Sequence, residues 1–183
     1  RSPKGFELVK QLVAASDVVV ENFTATVLKR WGLGYEEMRE INPGIVYVSM
    51  AGFGHTGPQS GYMIVGQATQ ALSGLSFLSG LPGMPSAGWG YSYMDDTAGL
   101  YGTMSVLTAL HHKNLTGQGQ HVDLAQMIAG ATLTGPAFLD RSINGRSARR
   151  EGYPPGNRTV WPGAELTPAY RGPTVAPHNA YRT

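Results

Sequence analysis

An uncharged stretch constrains this sequence more than any other feature. No Asp, Glu, Lys or Arg occurs among the 54 consecutive residues from Ile41 to Met94. The stretch suits a protein interior that holds a strand, glycine loops and one buried helix from about Tyr62 to Leu75. It also suits the wall of a cavity for a large ligand, because glycine lets a ligand approach the backbone closely. The two interpretations are compatible.

The composition supports one domain with a hydrophobic core, part of whose surface is covered. The chain has 183 residues, of which 14% are charged, against about a quarter in average proteins. The low fraction of charged residues is explained if segments absent from this chain, a partner subunit or a ligand cover part of its surface. A net charge of +2 argues against nucleic-acid binding. The sequence starts without Met and stops in a loop-like stretch, so we expect a fragment.

Several classes of site and location are excluded. The chain has no cysteine, which excludes disulfides, iron–sulfur clusters and thiol nucleophiles. Its five histidines show no pairing typical of metal ligands, and we predict no metal site. No apolar run approaches the roughly 20 residues that span a bilayer, and the N-terminus lacks a signal peptide. We therefore expect a cytoplasmic protein without membrane association.

The order of elements indicates the α/β class. The sequence predicts a helix over 5–16 capped by Ser2, a strand at 18–20, helices at 27–31 and 35–41, and a strand at 45–50. Strand, helix, helix and strand in this order imply a Rossmann-like parallel sheet with flanking helices. Further along, we predict a long helix from Asp95, a strand at 121–124 and a helix at 126–140.

The last part of the chain differs in character. Residues 142–183 contain six prolines, six arginines and two glutamates. We predict a partial large domain over residues 1–141, followed by an irregular linker arm over residues 142–183.

The segment Gly52–Gly57 matches the G-x-G-x-x-G pattern of dinucleotide-binding folds after a strand. That fingerprint requires a helix that opens at the glycines and an acidic residue about 20 positions later. Here Pro58 follows, and the next acidic residue is Asp95. We interpret the glycines as a loop at the carboxyl end of a strand, where open α/β sheets bind ligands.

Asp95 and Asp96 end the uncharged stretch at the start of the long helix. One of them could simply be the N-cap. Alternatively, an ionised carboxylate stabilised by the helix dipole, in poorly hydrated surroundings, could attack an acyl carbon. A catalytic carboxylate that has no second acid, base or metal beside it favours nucleophilic exchange at an acyl group over hydrolysis.

Seven segments together resemble the family III CoA-transferases, a group that also contains α-methylacyl-CoA racemases and carnitine CoA-transferases. Their order and spacing match that family between about Ser2 and Asp140. The segments are Asp17–Phe23, Leu28–Gly32, Asn42-Pro43, Gly52–Gly54 with Thr56–Pro58, Gln70–Gly74, Asp95–Gly99 and Thr116–Gln120.

The resemblance implies a fold, an assembly and a reaction. Family members are about twice as long and form interlocked homodimers, which would make this chain an internal piece. They move coenzyme A (CoA) from an acyl-CoA to a carboxylic acid through an aspartyl intermediate. The matching nucleophile is Asp95, four residues before Gly99. Asn22, Phe23 and Arg30 match residues that contact CoA, and Asp96 would be a cap or a helper.

The sequence departs from the family pattern at Gly61-Tyr62-Met63. Many members have Gly-Tyr-Asp there, and racemases carry a histidine beside the glycine. Tyr62 stands at that position, which favours a transferase. The alternatives are a racemase or epimerase of 2-methylacyl-CoA, and a catalytically silent fragment that only binds CoA.

Overall fold

A computed structural model describes residues 2–79, 85–86, 88, 90–145 and 147–148. It has the expected α/β architecture, with a parallel sheet of order β1-β2-β3 flanked by helices. The strands are β1 (Val18–Glu21), β2 (Val46–Ala51) and β3 (Gln120–Ala125). The helices are α1 (Pro3–Ala14), α2 (Val27–Arg30), α3 (Tyr35–Ile41), α4 (Gly66–Leu72), α5 (Leu75–Leu78), α6 (Tyr93–Thr116), α7 (Gln126–Thr132) and α8 (Gly135–Asn144).

In the first half of the chain, helices begin and end at the capping residues and glycines that the sequence indicates. The Ser2 hydroxyl accepts a hydrogen bond from the Gly5 N–H at 3.1 Å, with Pro3 as the first residue of α1. Gly32 follows α2 with φ = +70°, a conformation that glycine adopts without strain. Helices α2 and α3 connect β1 to β2, and these two strands are parallel and adjacent in the sheet, as the order of elements predicts.

Two helices that the sequence predicts as continuous are each divided into two shorter helices in the structure. The helix predicted from Tyr62 to Leu75 is wrong: α4 begins at Gly66, and Gly74, at φ = +85°, separates it from α5. The helix predicted over 126–140 is likewise broken into α7 and α8. Apolar periodicity continues through both breaks, so the pattern did not reveal them.

The sheet buries a different set of side chains on each face. On one face, Tyr47 packs with Val13 and Met38 of α1 and α3. On the other face, Val46 and Val48 pack with Ala109 of α6. Because successive strand residues point to opposite faces, the run Ile45–Val48 supplies both cores, and it is almost completely buried.

A row of polar side chains interrupts this apolar pattern near the carboxyl ends of the strands. Glu21, Ser49 and Asp123 lie in register across β1, β2 and β3. Glu21 is 6% exposed and Ser49 is fully buried. Polar groups inside a sheet are costly unless they are hydrogen-bonded, so this row marks the edge at which to search for a site.

Other sequence-based expectations concern the tail and the membrane. Most of the linker predicted over 142–183 lies outside the described residues, and α8 ends within it at Asn144. Among the described residues, no helix combines the length and apolar character needed to cross a bilayer.

Candidate active site

Three loops meet at the carboxyl edge of the sheet, where ligands of open α/β folds bind. The first loop follows β1 and contains Asn22 and Phe23. The second follows β2 and contains the glycines from Gly52 to Gly57. The third connection passes directly from β3 into α7 at Gln126.

Asp95 lies in the first turn of α6 but does not cap that helix. The N-cap is Ser92, and the Asp95 N–H donates to the Ser92 carbonyl oxygen at 2.9 Å. The N-cap interpretation of the acidic pair is therefore wrong. The positive end of the helix dipole still favours an ionised carboxylate in this turn. The side chain is exposed, so the poorly hydrated surroundings expected from the sequence are not formed by the described residues.

Asp95 is connected to the glycine loop through two neighbouring residues at the start of α7. The Gln126 side-chain amide donates to Asp95 Oδ1 at 3.1 Å. The next residue, Met127, donates its N–H to the Gly52 carbonyl oxygen at 3.0 Å. Within the described part of the chain, Asp95 Oδ2 has no hydrogen-bond partner. Gln126 thus orients one carboxylate oxygen beside the glycine loop and leaves the other open to an incoming group.

Packing explains the glycines of the loop after β2. A Cβ atom on Gly52 would overlap the Ile64 side chain. Gly54 has φ = +77°, and a Cβ there would lie 3.1 Å from Asp123 Oδ1. No helix opens at these glycines, which agrees with the rejection of a dinucleotide fingerprint.

The corner at Asn22 and Phe23 exposes both side chains at the end of β1. The Phe23 ring packs edge-on against Trp31, with 5.8 Å between centroids. Arg30, the last residue of α2, is also exposed and forms no ion pair among the described residues. An exposed apolar ring suits a planar base, and an exposed guanidinium group suits phosphates. No hydrogen bond or ion pair described here joins this corner to Asp95.

The sequence did not reveal a set of polar contacts beneath these loops. Asp123 Oδ1 accepts the His55 backbone N–H at 2.7 Å, and Asp123 Oδ2 accepts the Thr56 hydroxyl at 2.9 Å. His55 Nε2 lies 3.2 Å from Glu21 Oε1. The available signals were Glu21, which directly follows the run Val18–Val20, and Asp123, which lies within the predicted strand at 121–124. The strand register that aligns these residues was not available from the sequence.

Two titratable groups in this region are perturbed. Burial raises the pKa of Tyr47 well above its ordinary value of 10, and the nearby Glu21 carboxylate adds to the effect. Partial burial of its ring lowers the pKa of His121 below 6.5, and Asp123 opposes this shift without cancelling it. The His121 ring stacks on Tyr35, and its Nε2 lies 2.8 Å from Ser49 Oγ.

Stability should therefore depend on the protonation of His121. Because its pKa is lowered on folding, the unfolded chain binds more protons between that value and about 6.5. The free energy of unfolding should thus decrease as the pH falls through this interval. We expect the His121→Gln variant to lose less stability than the wild type between about pH 7.5 and about pH 5.5 in urea denaturation. A ring that titrates at or above about 6.5 by NMR would contradict this expectation.

Known proteins resemble this chain over most of its length. Residues 1–183 match the family model described as CoA-transferase family III. A succinyl-CoA–D-citramalate CoA-transferase of Chloroflexus aurantiacus is 40% identical over 124 residues, which cover 68% of this chain and 31% of that protein. The human succinyl-CoA:glutarate CoA-transferase is 32% identical over 83% of this chain and 35% of its own length.

A solved structure has the same fold. A CAIB/BAIF family protein from Brucella suis superimposes with a TM-score of 0.79 at 36% identity, covering 83% of this chain and 40% of that protein. The chain thus spans about a third of the length of these enzymes and 40% of this structure.

Proposed function

Because the chain belongs to CoA-transferase family III, we propose that it supplies the nucleophile and part of the CoA site of an enzyme that transfers CoA between an acyl-CoA and a carboxylic acid. The observation that supports this most directly is the exposed Asp95 carboxylate, which Gln126 orients beside the glycine loop. Such a group is accessible to a large thioester, and the start of a helix is a favourable position for a negatively charged nucleophile.

We propose Asp95 as the covalent catalyst. A carboxylate oxygen attacks the thioester carbonyl carbon, the C–S bond breaks, and a mixed anhydride forms with release of CoA thiolate. The thiolate then attacks the aspartyl carbonyl carbon, which gives an aspartyl–CoA thioester and frees the donor acid as its carboxylate. The acceptor carboxylate repeats both steps in reverse order, and Asp95 is regenerated.

The corner after β1 is the proposed CoA contact. Asn22 and Phe23 present an amide and a ring to solvent, and Arg30 supplies an unpaired positive charge for phosphate. Asn22 and Phe23 follow β1 at the same edge of the sheet as the glycine loop beside Asp95, so one extended ligand could reach both. The substrates are an acyl-CoA and a carboxylic acid, which need no metal.

We also propose that the complete protein is a homodimer. Helices α6 and α8 expose large apolar side chains that a second subunit or further chain would cover. They include Leu100, Met104, Leu107, Phe138, Leu139 and Ile143.

An assay of the complete protein tests the reaction class. With succinyl-CoA as donor and a panel of carboxylic acids, we expect a new acyl-CoA to form in chromatographic analysis, with equal loss of the donor. The matched measurement is incubation of a 2-methylacyl-CoA in deuterated water. Solvent deuterium at the α-carbon without CoA transfer would instead identify a racemase, which uses acid–base catalysis. CoA binding with neither reaction would identify a silent binding module.

A further inference from the structure

We propose that Glu21 is a positioning residue whose buried carboxylate fixes the Asn22–Phe23 corner in its CoA-binding conformation. The inference rests on the proposed function. It goes beyond that function because it assigns the placement of the corner to a side chain that faces the sheet interior and not the ligand. Glu21 is the last residue of β1 and is 6% exposed.

The burial of Glu21 requires an explanation. Ionised carboxylates are rarely buried unless hydrogen bonds or an opposite charge compensate for lost hydration. Among the described residues, no Lys or Arg pairs with Glu21, and the nearby cationic group is His55, which is charged only if protonated. Hydrogen bonds from the protein must therefore supply most of the compensation.

The two oxygens of Glu21 bind different parts of the fold. Oε2 accepts the Phe23 backbone N–H at 2.7 Å. Oε1 accepts the Tyr47 hydroxyl at 3.2 Å, and Tyr47 is a buried residue of the central strand β2. The carboxylate therefore connects the backbone of the corner to the rigid centre of the sheet. A short hydrogen bond to an ionised acceptor is among the stronger kinds in proteins.

The backbone that follows needs such support. Thr26 has φ = +73°, a left-handed conformation that is unfavourable for a β-branched residue. Strain of this kind persists only where the surroundings hold it, and it is concentrated at functional sites. Thr26 immediately precedes α2, which ends at Arg30. The Phe23 ring packs against Trp31, the residue directly after α2, so fixing the corner also supports the helix that carries the proposed phosphate-binding charge.

Asp123 shows the same arrangement on the neighbouring loop. Its two oxygens accept the His55 N–H and the Thr56 hydroxyl, as Glu21 accepts the Phe23 N–H. The two carboxylates occupy the same level of the sheet. A carboxylate thus anchors each of the two loops at this edge of the sheet.

Glu21→Gln in the complete protein tests the proposal, since the amide keeps the shape of the side chain and removes its charge. We expect hydrogen exchange at the Phe23 amide to be about tenfold faster. The Kd for CoA and the KM for acyl-CoA should each rise about tenfold, while kcat at saturation changes by less than about twofold. Glu40→Gln, the same change on an exposed residue of α3, should alter none of these quantities.

The outcomes separate this inference from the proposed function. Wild-type protein that does not bind CoA would overturn both. Wild-type protein that binds CoA, with Glu21→Gln unchanged in Kd and Phe23 exchange, would overturn the inference alone. An equal fall in kcat and kcat/KM with unchanged KM would also contradict positioning of the CoA corner. If Glu21→Gln does not fold, Tyr47→Phe decides: we expect a smaller rise in Kd, and an unchanged Kd would overturn the inference.

Discussion

Replacing Asp95 by asparagine should abolish CoA transfer while leaving CoA binding intact. The amide lacks the negative oxygen that attacks the thioester, so neither the anhydride nor the aspartyl–CoA thioester can form. We expect kcat to fall at least about a thousandfold, as for nucleophiles of other covalent enzymes. The Kd for CoA, measured by calorimetry, should change by less than about threefold, because the proposed CoA contacts lie on the loop after β1 and on α2.

Asp96→Asn is the matched control. Asp96 is the next residue of α6, is also exposed, and experiences a similar helix dipole. We expect its activity to remain within about tenfold of the wild type. Mass analysis of Asp95→Asn should accompany the assay, because deamidation of the introduced asparagine would restore the carboxylate. Full activity in undeamidated protein would exclude Asp95 as the nucleophile.

Gly119→Ala should destabilise the fold strongly, although it adds only one methyl group. Gly119 enters β3 from the turn after α6, and its N–H donates to the Pro43 carbonyl oxygen at 3.1 Å. A Cβ on Gly119 would overlap the Ile45 carbonyl oxygen and lie 2.6 Å from the Gly44 carbonyl carbon. These are backbone atoms of the two residues just before β2 and cannot rotate away. We expect a loss of about 3 kcal/mol in the free energy of unfolding, or failure to fold.

Urea denaturation followed by circular dichroism measures this loss, with Gly61→Ala as the control. A Cβ on Gly61 would meet no heavy atom within 4 Å among the described residues. The control should therefore stay within about 0.5 kcal/mol of the wild type. If Gly119→Ala were as stable as the wild type, the chain before β2 and the start of β3 could not lie as close together as they do in this structure.

The fold class could be predicted because its signals are local. β-branched runs, helix caps and stop glycines lie next to the elements they define, as at Ser2 and Gly32. The breaks after α4 and α7 could not be predicted in the same way. There, apolar spacing favours a continuous helix, whereas Gly74 adopts a left-handed conformation between α4 and α5 and a turn separates α7 from α8.

The candidate site likewise contains residues that the sequence predicts and residues that only the fold brings together. Asp95 is predicted from its place at the start of the long helix and from the family resemblance, and Asn22, Phe23 and Arg30 from the resemblance alone. The structure adds Gln126 as the partner of Asp95. Glu21 and its contacts required the register of the sheet. Tyr47 is 26 positions from Glu21, and no sequence pattern pairs them.

The central claim is that Asp95 carries the transferred group during the reaction. The most direct measurement is peptide mass spectrometry of the complete protein, quenched after incubation with an acyl-CoA and then digested. We expect the peptide that contains Asp95 to gain the mass of an acyl group or of CoA less one water, and to lose this adduct when an acceptor acid is added. Transfer that proceeds at full rate with Asp95 unmodified throughout, or with the adduct on a different residue, would contradict the account.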